Sequence, residues 1–181
     1  LKTERRIGLE ILIEEVEAMI NVEQLARSSP RLEAMIYGVG DFSAAQGIEL
    51  ATVTKLDGYP GDIWHYGRHK ITIAARAAGI EAIDGPFGNF NDPATYEEEC
   101  RRARIIGMTG KWAIHPLQID SALKVFTPDK AAVDAAREMV AAYSEAEKQG
   151  LGAVIHKGEM IDAATVRMVS NLIAKADAIG M

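Results

Sequence analysis

Residues 32–41 read Leu-Glu-Ala-Met-Ile-Tyr-Gly-Val-Gly-Asp. A short apolar run stops abruptly at two glycines and a carboxylate. Such a run, bounded by turn residues, suits a buried parallel strand. Leu32 to Tyr37 is therefore predicted as a strand, and Gly38-Val39-Gly40-Asp41 as the loop it feeds. The pattern recurs on both sides. Upstream, Ile7 to Ile13 (IGLEILI) is rich in isoleucine and leucine and ends in Glu14 and Glu15. Downstream, Ile80 to Ile83 runs into Asp84-Gly85-Pro86, and Lys111 to Ile114 runs into His115-Pro116.

Helical sequence fills the gaps. Asn21 to Ser28 closes at Pro30, with Asn21 as N-cap and Gln24 three residues on, as in a capping box. Asp62 can cap a helix over Ile63 to Ala78 that Gly79 ends. Asp92-Pro93 opens another, which runs to about Ile106 and stops at Gly107. The stretch from Ser43 to Asp62, with Asp57-Gly58-Tyr59-Pro60-Gly61, has no clear period and is predicted as a long loop. Helical sequence resumes at Leu117. An amphipathic helix follows from Pro128 to Lys148, with the apolar stripe Ala132, Val133, Ala136, Met139, Val140 and Tyr143. Gly150 to Gly158 breaks it, and a last helix covers Ile161 to Ala178.

Strand and helix thus alternate four times before a helical tail. That alternation means an α/β fold with a parallel sheet, either doubly wound or a (β/α)8 barrel. A complete barrel takes about 250 residues, and four units are half of one. The chain also opens on Leu1, not Met, in charged sequence, which suggests part of something longer.

Composition narrows the function classes. Of 181 residues, 48% are hydrophobic and 25% charged, which is globular usage. No apolar run reaches the roughly 20 residues of a membrane span, so no membrane partner is expected. The formal charge of −6 argues against a general nucleic-acid surface, which needs clustered positive charge. The single cysteine, Cys100, excludes an internal disulfide framework and any multi-cysteine metal site, and fits a cytoplasmic protein.

In either parallel architecture, functional groups collect just past the carboxyl ends of the strands. Three of those ends carry a carboxylate, at Glu14, Asp41 and Asp84, and the fourth carries His115. Carboxylates converging on one mouth make a hard-cation site, since Mg²⁺ takes one or two and leaves the rest of its octahedron to water and substrate. The alternative is ordinary polar loop residues. Glu10 rivals Glu14 but falls inside its strand. Other features point nowhere. Gly107 to Lys111 is too short for a phosphate loop. His65 and His69 lack the glutamate of a zinc-protease helix and are read as a solvated face. The run Glu97-Glu98-Glu99 is read the same way, and Cys100 has no sequence reason to be a nucleophile.

Four motifs, in order, carry a resemblance. They are Leu12-Ile13-Glu14-Glu15 with Asn21-Val22-Glu23; Ser29 to Ala34 with Tyr37 to Phe42; Ala82 to Gly88; and Gly110 to Pro116. Together they resemble the HpcH/HpaI aldolase and citrate lyase beta-subunit-like CoA-ester lyases, within that group the malyl-CoA and β-methylmalyl-CoA lyases. The resemblance implies residues 1–126 as strands five to eight of a (β/α)8 barrel and 127–181 as a C-terminal helical extension that acts as a lid. It puts the first four units, with the family's substrate-binding arginines and much of its CoA site, outside this chain. It implies Glu14 and Asp41 as ligands of Mg²⁺, with Mn²⁺ an equivalent hard ion. It implies Gly40 and Asp41 as backbone donors to the glyoxylate carboxylate, and Ile114 and His115 as contacts to the acyl-CoA. Asp162 resembles the lid aspartate that reaches a neighbouring subunit's site in a homo-oligomer, and is the candidate acid/base. The same residue could simply cap the last helix.

The reaction so implied is reversible cleavage of malyl-CoA or β-methylmalyl-CoA to glyoxylate and acetyl-CoA or propionyl-CoA. Two alternatives share the residues: a malyl-CoA thioesterase, or a citramalyl- or citryl-thioester lyase. A third is a non-catalytic fragment that binds CoA esters.

Overall fold

The structure is a computed structural model and describes residues 6–49 and 61–181. The expected turn Asp57 to Pro60 lies outside the described residues. Four strands form one parallel sheet: β1 (Leu9–Ile13), β2 (Leu32–Tyr37), β3 (Glu81–Asp84) and β4 (Gly110–Lys111), in the order β1-β2-β3-β4. Between β1 and β2 lie two short helices, α1 (Val16–Ile20) and α2 (Val22–Leu25). After β2 comes α3 (Val39–Ala45), then α4 (His65–Ala78), which precedes β3. α5 (Pro93–Ile105) links β3 to β4, and a 3₁₀ turn at Pro116–Gln118 leads into α6 (Ile119–Phe126). The chain divides into two compact units, Leu1–Phe126 and Thr127–Met181.

The register explains the layering. Ile13 pairs with Tyr37, and Met35 with Ala82. These residues share one face and are buried against Ile71, Ala74 and Ala75 of α4. Side chains alternate along a strand, so Glu10 and Leu12 occupy the opposite face, where both are exposed. Glu14 follows in the same alternation just past the strand end.

Several local expectations are corrected. The helix expected over Asn21 to Ser28 starts at Val22 with Asn21 at its N-cap position, but it ends at Leu25 and has no side-chain cap. Asn21 turns its side-chain amide back to donate to the Glu17 carbonyl (2.8 Å), so it closes α1 and makes no capping box with Gln24. The sequence 38–41 is not a loop, because Gly38 caps and Val39 opens α3. Strand β4 ends at Lys111, short of Ile114, because the Gln118 carboxamide oxygen accepts from the Ile114 and His115 amides (2.8 and 3.3 Å) and draws the chain off the ladder. The Asp92 cap is as expected, accepting from the Thr95 amide at 3.0 Å.

In the second unit, α7 (Lys130–Lys148) and α8 (Ala163–Ala178) are joined by an antiparallel hairpin, β5 (Ala153–His156) and β6 (Glu159–Asp162). Its two-residue turn, Lys157-Gly158, has positive φ at both positions (50° and 88°), the geometry that matches strand twist. Periodicity alone reads this segment only as a break. Val133, Ala136 and Ala146 form the buried edge of α7, while Ala132 is exposed. Arg137 ties the helices by donating to the Asp177 carboxylate (2.7 Å) and the Met181 carbonyl (2.8 Å). Among the described residues no helix is long and apolar enough to cross a membrane.

Gly85 is the tightest backbone approach at the carboxyl ends of the strands. A Cβ there would lie 1.9 Å from the Tyr37 carbonyl oxygen, which is backbone and cannot swing away. Gly85→Ala should therefore separate the ends of β2 and β3 and cost about 1–3 kcal/mol, the usual range for overpacking. Equilibrium denaturant unfolding of the whole protein checks this; an unchanged midpoint would mean the loop yields freely.

Candidate active site

The ends of β1 and β2 are stitched together. The Gly38 amide donates to the Ile13 carbonyl at 3.0 Å, one step beyond the Ile13–Tyr37 pair. Glu14 therefore lies beside Gly38. A Cβ on Gly38 would sit 2.5 Å from Glu14 Cβ and 2.9 Å from its Oε2. Only glycine leaves room for that carboxylate against the strand end. Three residues on, Asp41 stands exposed in the first turn of α3, next to Gly40, where an added Cβ would point into open space. The structure thus gathers Glu14, Gly40 and Asp41 at one pair of strand ends.

The donor set there suits a hard divalent ion. It offers two carboxylates from different elements, one seated in a cradle that a Cβ would fill and one open to solvent, with room for water and substrate oxygens. No group of three or more His, Cys, Asp or Glu able to hold a metal occurs among the described residues.

Asp84 does not join them. It faces the helix layer, is fully buried, and is consumed by ion pairs: Oδ1 accepts from Arg68 Nε (2.8 Å) and Oδ2 from Lys111 Nζ (2.7 Å). Lys111 also donates to the Gly85 carbonyl (2.7 Å) and sits 2.8 Å from a Glu99 carboxylate oxygen. Arg68 further pairs with Asp62. Two cations are thus set among three carboxylates. Burial opposes the charge on Arg68, but Asp84, Asp62 and Glu99 outweigh it and hold its pKa above the ordinary value. Glu99 is accordingly no part of a solvated face: its side chain is 16% exposed and turned inward, while Glu98 and Arg102 pair on the surface at 3.2 Å.

The cluster extends toward α3. Asp62 accepts from the Trp64 amide (2.9 Å), the Trp64 indole N–H donates to Ser43 Oγ (2.8 Å), and Ser43 donates to the Val39 carbonyl (2.6 Å). Sequence reasoning passed over Arg68, Lys111 and Trp64. The available signal was Lys111 itself, a charge inside the strand motif Gly110 to Ile114 that must find a buried partner.

Ile114 is exposed at 53%. His115 caps the 3₁₀ turn, with Nδ1 accepting from the Leu117 amide (3.2 Å), and its ring stacks on Phe90 (4.4 Å, 15°). Both residues stand past β4, three strand spacings from β1, or about 14 Å across a sheet. Asp162 belongs to the second unit. Its Oδ1 accepts from the Thr165 amide (2.8 Å) and hydroxyl (2.9 Å), capping α8. Those bonds favour the charged form and hold its carboxyl below the ordinary 3.8. Cys100 is buried, and burial pushes its thiol up to about 11, the opposite of an activated nucleophile. His65 and His69 meet edge to face at 4.5 Å.

Residues 2–116 match the HpcH/HpaI aldolase/citrate lyase family. The chain is 39% identical over 183 residues to an L-malyl-CoA/beta-methylmalyl-CoA lyase of Rhodobacter capsulatus, covering 96% of this chain and 58% of that protein. It is 31% identical over 168 residues to a (3S)-malyl-CoA thioesterase of Cereibacter sphaeroides, covering 93% and 56%. The fold matches that of the CitE protein of Mycobacterium tuberculosis, solved with magnesium, acetoacetate and coenzyme A. There the TM-score is 0.73 and the identity 25%, over 94% of this chain and 61% of that one. The chain spans less than two thirds of the length of these relatives.

Lys111→Met should cost about 3–5 kcal/mol in denaturant unfolding, because it strands Asp84 and Glu99 beside a single cation. A loss below about 1 kcal/mol, the worth of an exposed pair, would mean that water reaches the cluster.

Proposed function

Because this chain belongs to the HpcH/HpaI aldolase/citrate lyase family, we propose that it forms part of a CoA-ester lyase. The enzyme cleaves malyl-CoA or β-methylmalyl-CoA reversibly to glyoxylate and acetyl-CoA or propionyl-CoA. The observation that carries this reading is the seating of Glu14 against Gly38, one turn of chain from Asp41. The sheet is read as strands five to eight of a (β/α)8 barrel, residues 1–126, with 127–181 as the lid. Its strictly sequential order supports this, since a doubly wound sheet reverses direction from a central strand.

Glu14 and Asp41 would hold Mg²⁺, or Mn²⁺ in its place, which when bound polarises the hydroxyl and carboxylate oxygens of the substrate's 2-hydroxy-acid end. The chain's own groups do the rest. Backbone N–H groups at Gly40 and Asp41 bind the glyoxylate carboxylate; the first turn of a helix has no carbonyl partners for them. Ile114, exposed and apolar, and His115, stacked on Phe90, offer a surface to the acyl-CoA. Asp162, reaching a neighbouring subunit of a homo-oligomer, exchanges the proton at the acyl α-carbon. In the condensation direction its carboxylate takes that proton, the carbon attacks the glyoxylate aldehyde, and the new alkoxide takes a proton from water while the protonated Asp162 returns its own to solvent. Its lowered pKa keeps it ionised for that step. A cytoplasmic setting suits the free, buried thiol of Cys100.

The test is glyoxylate release from malyl-CoA by the whole protein, with Mg²⁺ and then with a chelator. Metal-dependent glyoxylate is expected, and Glu14→Ala should abolish it. Free malate and CoA would instead assign a thioesterase on the same scaffold, the reading that the resemblance to the Cereibacter protein favours. Citramalyl- and citryl-thioesters belong in the same assay.

Two substitutions separate the roles of Asp162. Asparagine caps a helix as well as aspartate does, so Asp162→Asn should leave α8 intact yet lower turnover by about 10²–10⁴-fold if the carboxyl moves a proton. Retained turnover would leave it a cap alone. In the wild type, the charge-dependent part of the cap is present above the ordinary aspartate pKa and fades only as pH falls through the depressed folded value. Helicity followed by circular dichroism should lose that acid-dependent step in Asp162→Asn.

A further inference from the structure

We propose that Trp64 is a positioning residue for the metal site: its indole N–H bond to Ser43 ties the helix that carries Asp41 to the buried ion cluster. The inference rests on reading Glu14 and Asp41 as the metal carboxylates, and goes beyond it by naming what sets the distance between them.

The two carboxylates are placed in different ways. Glu14 is seated directly against Gly38 at the stitched strand ends. Asp41 is exposed, so its position is that of α3 itself. α3 has seven residues, and a helix that short is not stable by backbone bonding alone. Ser43, two residues past Asp41, is buried at 2% exposure, and its hydroxyl is used twice: it donates to Val39 within the helix and accepts from Trp64 outside it.

Trp64 is well placed to hold that end. Its own amide donates to Asp62, and the Arg68 guanidinium lies 5.8 Å from its ring centroid. Asp62 pairs with Arg68, Arg68 with Asp84, and Asp84 with Lys111. An unbroken line of hydrogen bonds and ion pairs therefore runs from β4 through α4 to the first turn of α3. Mg²⁺ demands near-ideal octahedral geometry, so a small drift of α3 weakens a shared ion before it unfolds anything. Trp64→Phe keeps a large ring on Arg68 and removes only the donor. Ser43→Ala removes the acceptor.

The experiment measures Mn²⁺ binding to the whole protein by electron paramagnetic resonance of the free ion, with Mg²⁺ as competitor. Wild type, Trp64→Phe, Ser43→Ala, the double variant and Glu14→Ala are compared. Wild type should bind and Glu14→Ala should not. Each single variant should raise the Kd by roughly 3- to 10-fold, the worth of one hydrogen bond. The double variant should bind no worse than Ser43→Ala alone, because that substitution already removes the Trp64 bond together with the bond to Val39. Excess metal should restore turnover to either single variant, which a general loss of folding would not allow. An unchanged Kd in variants of a protein that does bind, or strictly additive losses in the double variant, overturns the role of Trp64 alone. Where Trp64→Phe fails to fold, Trp64→His, which keeps a ring N–H donor, is compared with Trp64→Leu, and equal Kd values in the two overturn the role of the donor. A wild type without Mn²⁺ binding, or binding that survives Glu14→Ala, overturns the metal site and this inference with it.

Discussion

Asp84 lies fully buried between Arg68 and Lys111, and the first unit is arranged around the need to keep it paired. An ionised carboxylate in an apolar layer is tolerable only with excellent partners. Those partners come from α4 and β4, and Glu99 of α5 closes the ring on Lys111. One carboxylate of β3 thereby ties its own strand to β4 and to the helices α4 and α5 on either side of it in the chain. Lys111 also holds the Gly85 carbonyl, which keeps that glycine against the Tyr37 carbonyl at the end of β2.

Carboxylates at neighbouring strand ends have been divided between two tasks. Asp84 points into the helix layer, and all its bonding capacity is spent on the fold. Glu14 is seated against Gly38 and Asp41 is exposed, both near the joined ends of β1 and β2, and in our proposal these two hold the metal. Asp84 emerges from β3 on the helix side of the sheet and meets two cations there, whereas Asp41 is carried by the exposed first turn of α3. A stable cluster beneath an open pair is what a metal site needs, since the ligands must keep a fixed separation before the ion arrives. The buried Cys100 and Tyr96, both with raised pKa values, belong to the inert side of this division.

The second unit reuses one residue for structure and, in our proposal, chemistry. Asp162 ends β6 and caps α8 in the same step. The bonds from Thr165 that stop the helix from fraying also fix the carboxyl rotamer and keep it charged. A mobile surface aspartate would have neither property.

The strands of the first unit were legible because each is a short apolar run cut off by glycine, proline or a carboxylate. Leu32–Tyr37 was predicted to the residue, and the parallel sheet followed from strand–helix alternation. Glu14, Asp41 and His115 stood out as candidates because each follows a strand end, whereas Asp162 stood out only through the family resemblance. The hairpin of β5 and β6 escaped, because a Lys-Gly turn lacks the usual Asn-Gly signal and its strands are four residues each. The helix expected from Asn21 does start there but ends at Leu25 and lacks the capping box, because the Asn21 side chain bonds back to Glu17 and only the packed backbone decides that direction. In the first unit local pattern alone determined roughly where the strands lie and that they run parallel, since burial period and turn chemistry act between near neighbours in the chain. Which carboxylates face a ligand and which are locked inside was decided by tertiary structure. Asp84 meets Arg68 and Lys111, and Ser43 meets Trp64, across 16, 27 and 21 residues of chain, and no local period encodes contacts of that span.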